Sequence, residues 1–135
     1  MKFINLTPHA LRLRREADDR PEPQDSDLVL EPDGRVARLE QVVLSATALS
    51  GMAVRRTTLS GRILDLPAPE PETVYIVSLP VAQQAGTQQG RTDIVSPGDL
   101  FWQNGHPALV RRLQQYLSGD VAWREQYDAA ALAIS

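Results

Sequence analysis

The chain contains no cysteine. That excludes a disulfide scaffold, a thiolate zinc site, an iron–sulfur cluster and a cysteine nucleophile. Two histidines and one lysine leave little for a multi-histidine metal centre or for lysine chemistry. Aromatic residues make up only 5%, too few to build stacking platforms for single-stranded nucleic acid. Positive charge is not in excess either: the net charge is −3, which argues against a nucleic-acid polymer as partner. No apolar run reaches the roughly 18 residues of a membrane helix, and no signal-peptide core follows the N-terminus. The expectation is one small soluble domain in the cytoplasm, with no cofactor and no membrane contact. Its 135 residues give room for one modest core.

What is present is arginine and β-forming sequence. Thirteen of the fourteen basic residues are arginine, the cation suited to forked contacts with carboxylates and phosphates. A GC-rich genome accounts for the same skew. Residues 3–14 alternate and are interrupted by Pro8, which reads as an edge strand or as two short strands with a bend at Thr7-Pro8. Residues 15–27 are acidic and proline-containing, read as a flexible loop whose carboxylates, Asp25 and Asp27 among them, are solvated. A short strand over 28–30, the turn Pro32-Asp33-Gly34 and a strand over 35–44 follow. A loop is expected at 45–51, then two strands around Ser60-Gly61.

After a proline-rich connector at 67–72, Thr73–Leu79 is the clearest strand, buried on both faces. Pro80 starts a short helix that Gly86 or Gly90 ends. Ser96-Pro97-Gly98 reads as a turn. Asn104-Gly105 predicts a hairpin over 100–112, although Leu109, Leu113, Tyr116 and Leu117 also fall at helical spacing. Asp120 is a candidate N-cap for a C-terminal helix. The fold expected is α+β: a small, mostly antiparallel, twisted or partly closed sheet, one short helix after Ser78 and one C-terminal helix. Residues 1–118 form the β-rich domain, and 119–135 a helical extension. So thin a core predicts a homo-oligomer.

The stretch Asn5-Leu6-Thr7-Pro8-His9-Ala10 resembles the opening of a family of small, mostly uncharacterised phage and bacterial proteins. That family continues with a P-S-G-x-V-A-R turn and strand, here Pro32–Arg38 with Asp33 in place of serine. Gly61 to Leu66-Pro67, Tyr75-Ile76-Val77-Ser78, Val81–Ala85, Arg91-Thr92-Asp93 and Pro97-Gly98 follow in the same order. The resemblance runs over roughly residues 3–113. The long acidic excursion at 15–27 and the helix after 119 depart from it. It implies a phage or prophage setting and no particular reaction.

Seven residues are candidates for a ligand site. Thr7 and His9 flank Pro8, which either presents an imidazole on a rigid turn or merely bends a strand. Ser78 stands at a strand-to-helix junction, where it caps the helix or faces an anion. Arg91 and Asp93 form either a turn lock or a fork for phosphate and hydroxyls. Arg38 and Arg62 line a solvated face or an anion pocket, as do Arg55 and Arg56. His106 reads as a solvated turn residue.

Three function classes follow. The first is a phage or prophage module that binds, and sequesters, a nucleotide-like host immune signal. The second is a protein–protein interaction or inhibitor module without a small-molecule ligand. The third is a small enzyme with His9 as general base. A serine hydrolase would need Ser78 or Ser96 with His9 and Asp93, and the flanking glycines of a nucleophile elbow are missing.

Overall fold

A computed structural model describes residues 1–15 and 20–125. The strands are β1 (Lys2–Asn5), β2 (Leu11–Leu13), β3 (Leu28–Leu30), β4 (Arg38–Val43), β5 (Thr47–Leu49), β6 (Met52–Val54), β7 (Thr57–Leu64), β8 (Thr73–Ile76), β9 (Ile94–Gln103) and β10 (His106–Gln114). Helix α1 (Leu79–Gln83) runs on into a π-helical turn over Gln84–Gln88. Residues 119–125 form α2, the described part of the C-terminal extension. The class is α+β, as expected.

Six strands make the main sheet, in the order β1-β8-β9-β10-β2-β3. Antiparallel pairing prevails over the described strands, in four of the seven pairings. The parallel ladders lie at β1–β8–β9 and between β10 and β2. Only five residues separate β1 from β2, yet three strands stand between them in the sheet. So short a link forces the sheet to curl until its two ends meet. Asp33 N–H donates to the Asn5 carbonyl (2.9 Å), and Ala37 N–H to that of Leu6 (3.1 Å). The sheet is twisted and nearly closed.

Strand β8 is the centre of the core. Tyr75 and Val77 face one apolar cluster with Leu6, Val81, Ala85 and Ile94. Ile76, pointing the other way, packs on Leu13 and Val110. Period-2 alternation thus buries both faces, as the β-branched run predicts. Each such side chain contributes about 1.5–3 kcal/mol of transfer free energy.

The second half of the sheet departs from the sequence reading at one turn. Ser96-Pro97-Gly98 is no turn, because β9 runs straight through it. Its partner β8 is paired only as far as Val95, so the N–H that Pro97 lacks would face no strand. Gly98 lies against Gln114, whose side chain a Cβ would meet at 2.5 Å. The Asn104-Gly105 hairpin is present, both residues at positive φ (53° and 77°) as a two-residue turn requires. It extends to Gln114, which removes the helical alternative for 109–114.

Residues 38–64 form a β-arm that pairs only with itself. β4 lies antiparallel to β7, and β5 to β6 beyond them. The reversal is at Ser50-Gly51 (φ 48° and 81°), inside the segment expected to be a loop. Ser60-Gly61, expected to split two strands, is instead the irregular register opposite Glu40 within one continuous β7. Glycine at φ 87° is what such a bulge takes, so the same residue that signals a turn serves inside a strand. Gln84 and Gln89 donate to the Gly61 carbonyl (3.3 and 3.1 Å) and hold the arm's base to the π-helical turn.

The acidic excursion is also corrected in part. Asp27 is buried, not solvated. It accepts from Arg14 Nε at 2.8 Å and from Gln24 N–H at 2.8 Å. Arg14 is buried too, and donates to the carbonyls of Arg20 (2.6 Å) and Glu22 (2.7 Å). The described end of the loop is therefore strapped around a buried ion pair. The loop's Asp18 and Asp19 lie outside the described residues. At α2 the capping contact comes from Ser118, whose Oγ accepts from Val121 N–H (3.4 Å), so Asp120 falls inside the helix.

Candidate functional site

The turn that closes the sheet also builds the main cleft. Asn5 organises it. Its Nδ2 donates to the carbonyls of His9 (2.8 Å) and Leu30 (3.1 Å). Its Oδ1 accepts from Thr7 N–H (3.0 Å) and from Thr7 Oγ1 (2.6 Å). Both residues are buried, so these bonds form out of water and each is costly to break. Pro8 carries no N–H that would need a partner in so tight a bend. Thr7 is thereby fixed, and His9 is carried to the surface.

One wall of the cleft is this segment, Thr7 to Arg12. The opposite wall is His106 to Val110 at the start of β10. Ser78 and Leu79 close one side, and Pro97 and Leu100 of β9 also line it; the volume is about 520 Å³. The lining is mainly apolar, with Thr7, His9, Arg12, Ser78 and His106 as the polar groups. That size and chemistry suit a small organic molecule: apolar walls for its body and a few polar groups to orient it. Both histidines of the chain stand here. Ser78 occupies the N-cap position of α1, but its hydroxyl makes no capping bond. The expected capping role is therefore not the one it plays. Arg12 supplies the cation at the rim, 3.8 Å from Asp27.

Three of the seven sequence candidates, Thr7, His9 and Ser78, meet in this cleft. Arg38 and Arg62 do not. They line a separate, open depression of about 470 Å³ with Arg35, Ile63, Leu66 and Pro67. Each guanidinium there already faces a carboxylate: Arg35 to Asp33 (2.7 Å), Arg38 to Asp65 (2.7 Å) and Arg62 to Glu40 (3.8 Å). The hydrogen bond from Arg35 holds the Asp33 carboxyl below the usual carboxylate range. Three such pairs leave little net charge to draw an anion.

Arg91 and Asp93 line neither depression. Their fork is closed on itself, Nε to Oδ1 and Nη2 to Oδ2, both at 2.8 Å. Arg91 Nη2 also donates to the Pro67 carbonyl (3.0 Å). The hydrogen bond from Arg91 keeps the Asp93 carboxyl below its ordinary range. This is the turn-lock alternative, fastening the connector to the sheet.

Sequence reasoning missed His106 and Arg12 as cleft residues. Arg12 sits in a legible alternation, but nothing local brings β10 beside residues 7–12. That neighbourhood depends on the long-range pairing of Val110 with Leu13. Among the described residues no carboxylate lines the cleft beside His9, where an acidic partner would orient a general base. Among the described residues, no group of three or more histidines and carboxylates is placed to hold a metal ion. No described helix is long and apolar enough to cross a membrane.

Comparison with family models, curated proteins and solved structures finds no match to this chain.

Proposed function

We propose that the protein is a small-molecule-binding module whose site is the cleft between the Thr7–Arg12 turn and β10. The observation that carries this reading is one cleft of about 520 Å³ with apolar walls and five polar side chains, both histidines included. A nucleotide-like molecule fits that chemistry. Pro8, Leu79, Leu100 and Pro107 would pack on its ring system, while Arg12, His9 and His106 would meet its anionic part. Sequestration asks for no more than a preformed pocket and slow release. With the resemblance to phage proteins over Asn5–Ala10, the proposed role is to withhold a nucleotide-like host signal.

The test is native mass spectrometry of protein purified from a cell lysate, before and after unfolding, with titrations of nucleoside mono- and diphosphates. A small-molecule mass released on unfolding is expected, absent from an Ala10→Trp or Ala108→Trp variant that fills the cleft. A mass retained by both variants, or no released mass and no nucleotide binding, overturns the reading. An empty protein that captures a host protein would favour an interaction module instead. The exposure of Trp102, beside the β9–β10 turn, is the feature that supports that second reading.

A further inference from the structure

The β-arm is the part of the fold that the cleft does not use. From Val42 to Ala53 every residue is exposed, with Val43 at 61%, Leu49 at 62% and Met52 at 70%. Both faces carry apolar groups, because neighbours in a strand such as Val42 and Val43 point to opposite sides. A two-stranded ribbon left bare in water is marginally stable. The pattern is that of a ribbon covered on two faces by something else.

The charge says what covers it. Residues 38–64 hold four arginines and one glutamate, a net +3, so the rest of the chain carries −6. Beyond Glu40 the arm has no acid up to its last strand residue. Arg55 and Arg56, between β6 and β7 about midway along it, have no ion-pair partner among the described residues, whereas Arg35, Arg38, Arg62 and Arg91 all have one. The arm thus matches a net-negative partner, and the remainder of each copy is net negative.

Length and area agree. The exposed part of the ribbon runs from the Val42–Thr58 pair to the Leu49–Met52 pair. Drawn straight, that is up to about 25 Å. At a width of about 10 Å, its two faces offer roughly 500 Å², and reciprocal exchange adds a comparable area from each body, about what one partner of a stable interface buries.

We infer that the protein assembles by arm exchange: the basic, apolar arm of one copy lies across the acidic body of a second, and reciprocally. One arm and one acidic body per molecule close into a two-fold dimer or a small ring without leaving a free arm. This stands independently of what the cleft binds.

Analytical ultracentrifugation supplies the first test, at about 50 and 500 mM salt, where screening differs several-fold. An oligomer that loosens with salt is expected. Arg55→Glu with Arg56→Glu, and separately Leu49→Asp with Met52→Asp, should each weaken it by about tenfold or more. Circular dichroism must show the body folded in both. Because the chain has no cysteine, Leu49→Cys accepts a single photo-crosslinker. Mixed light and heavy protein should then crosslink the tip of one copy to acidic body peptides of the other. A monomer at about 100 μM overturns the inference, since a standard-size interface is far tighter. So does an oligomer insensitive to both double variants, or one whose tips crosslink only to each other.

Discussion

Asp27→Asn is the substitution with the largest effect that the structure lets one calculate. The side chains of Arg14 and Asp27 are 1% and 0% exposed and 2.8 Å apart. Burial raises the Asp27 carboxyl, but the Gln24 N–H, the Arg14 hydrogen bond and the charges of Arg14 and Arg12 outweigh it, so the group ends below its ordinary range. Neutralising it takes from the buried Arg14 guanidinium the counter-charge that Asp27 supplies at 2.8 Å. Removing one partner of a buried pair costs about 3–5 kcal/mol. Against a stability of about 5–15 kcal/mol for a domain, that lowers Tm by roughly 10–20 °C at this chain length. The pH dependence follows from the sign of the shift. A depressed folded-state pKa gives stability that is fully present above the unfolded value, about 3.9, and is lost as pH falls through the folded one. Wild type should therefore show a steeper acid limb than Asp27→Asn, which keeps only the part owed to carboxylates such as Asp33 and Asp93. Urea unfolding followed by circular dichroism at pH 7 and on stepping down through pH 4 measures both. A companion, Arg14→Met with Asp27→Leu, removes both charges and should recover most of the loss. If Asp27→Asn stays within about 1 kcal/mol of wild type at pH 7, the pair is not the strap argued here.

Other substitutions probe the closing turn, the core and the π-helical turn. Asn5→Ala removes four hydrogen bonds, two of them buried and two half-buried, and should cost about 3 kcal/mol in chemical denaturation, with ligand release from the cleft if one co-purifies. Ser96→Ala should be neutral or stabilising by about 1 kcal/mol, because Ser96 Oγ is buried with no partner among the described residues, and a loss of more than that would reveal a further bond. Gly86→Ala should cost several kcal/mol despite alanine's better helix propensity, because a Cβ there would run into the Tyr116 carbonyl oxygen; a Tm equal to wild type would refute the packing.

Features encoded within a few residues were legible in the sequence. Asn104-Gly105 makes its turn, Pro80 stands in the first turn of its helix, and Thr73–Ile76 forms the buried strand, because in each case local stereochemistry and the apolar pattern agree. Glycine misled at Gly61 and Gly98, since a bulge and a close side-chain approach use the same residue as a turn. Asp27 looked like its solvated neighbours, because the arginine that buries it lies thirteen residues back, on the far side of the excursion. The candidate site was half legible for the same reason. Thr7 and His9 sit on a distinctive tripeptide, but His106 and Arg12 become their neighbours only through the β10–β2 pairing.

That pairing also ties the site to the stability of the fold. β1 and β2 are nearly continuous in sequence, yet they lie in different parts of the sheet, and the residues between them are what closes it. Asn5 fixes that link from inside, reaching both the carbonyl of His9 and that of Leu30 next to the other end of the sheet. The wall of the cleft is thus the seam of the sheet, and a ligand that bridges Thr7–Arg12 to His106–Val110 would pin the seam shut. Binding should then raise Tm and slow amide exchange at Asp33 and Ala37, whose N–H groups bond across the closure to Asn5 and Leu6. The arm, anchored away from the seam through Gly61, should show no such protection. Slowed exchange confined to the arm would place the ligand elsewhere and end the case for the cleft.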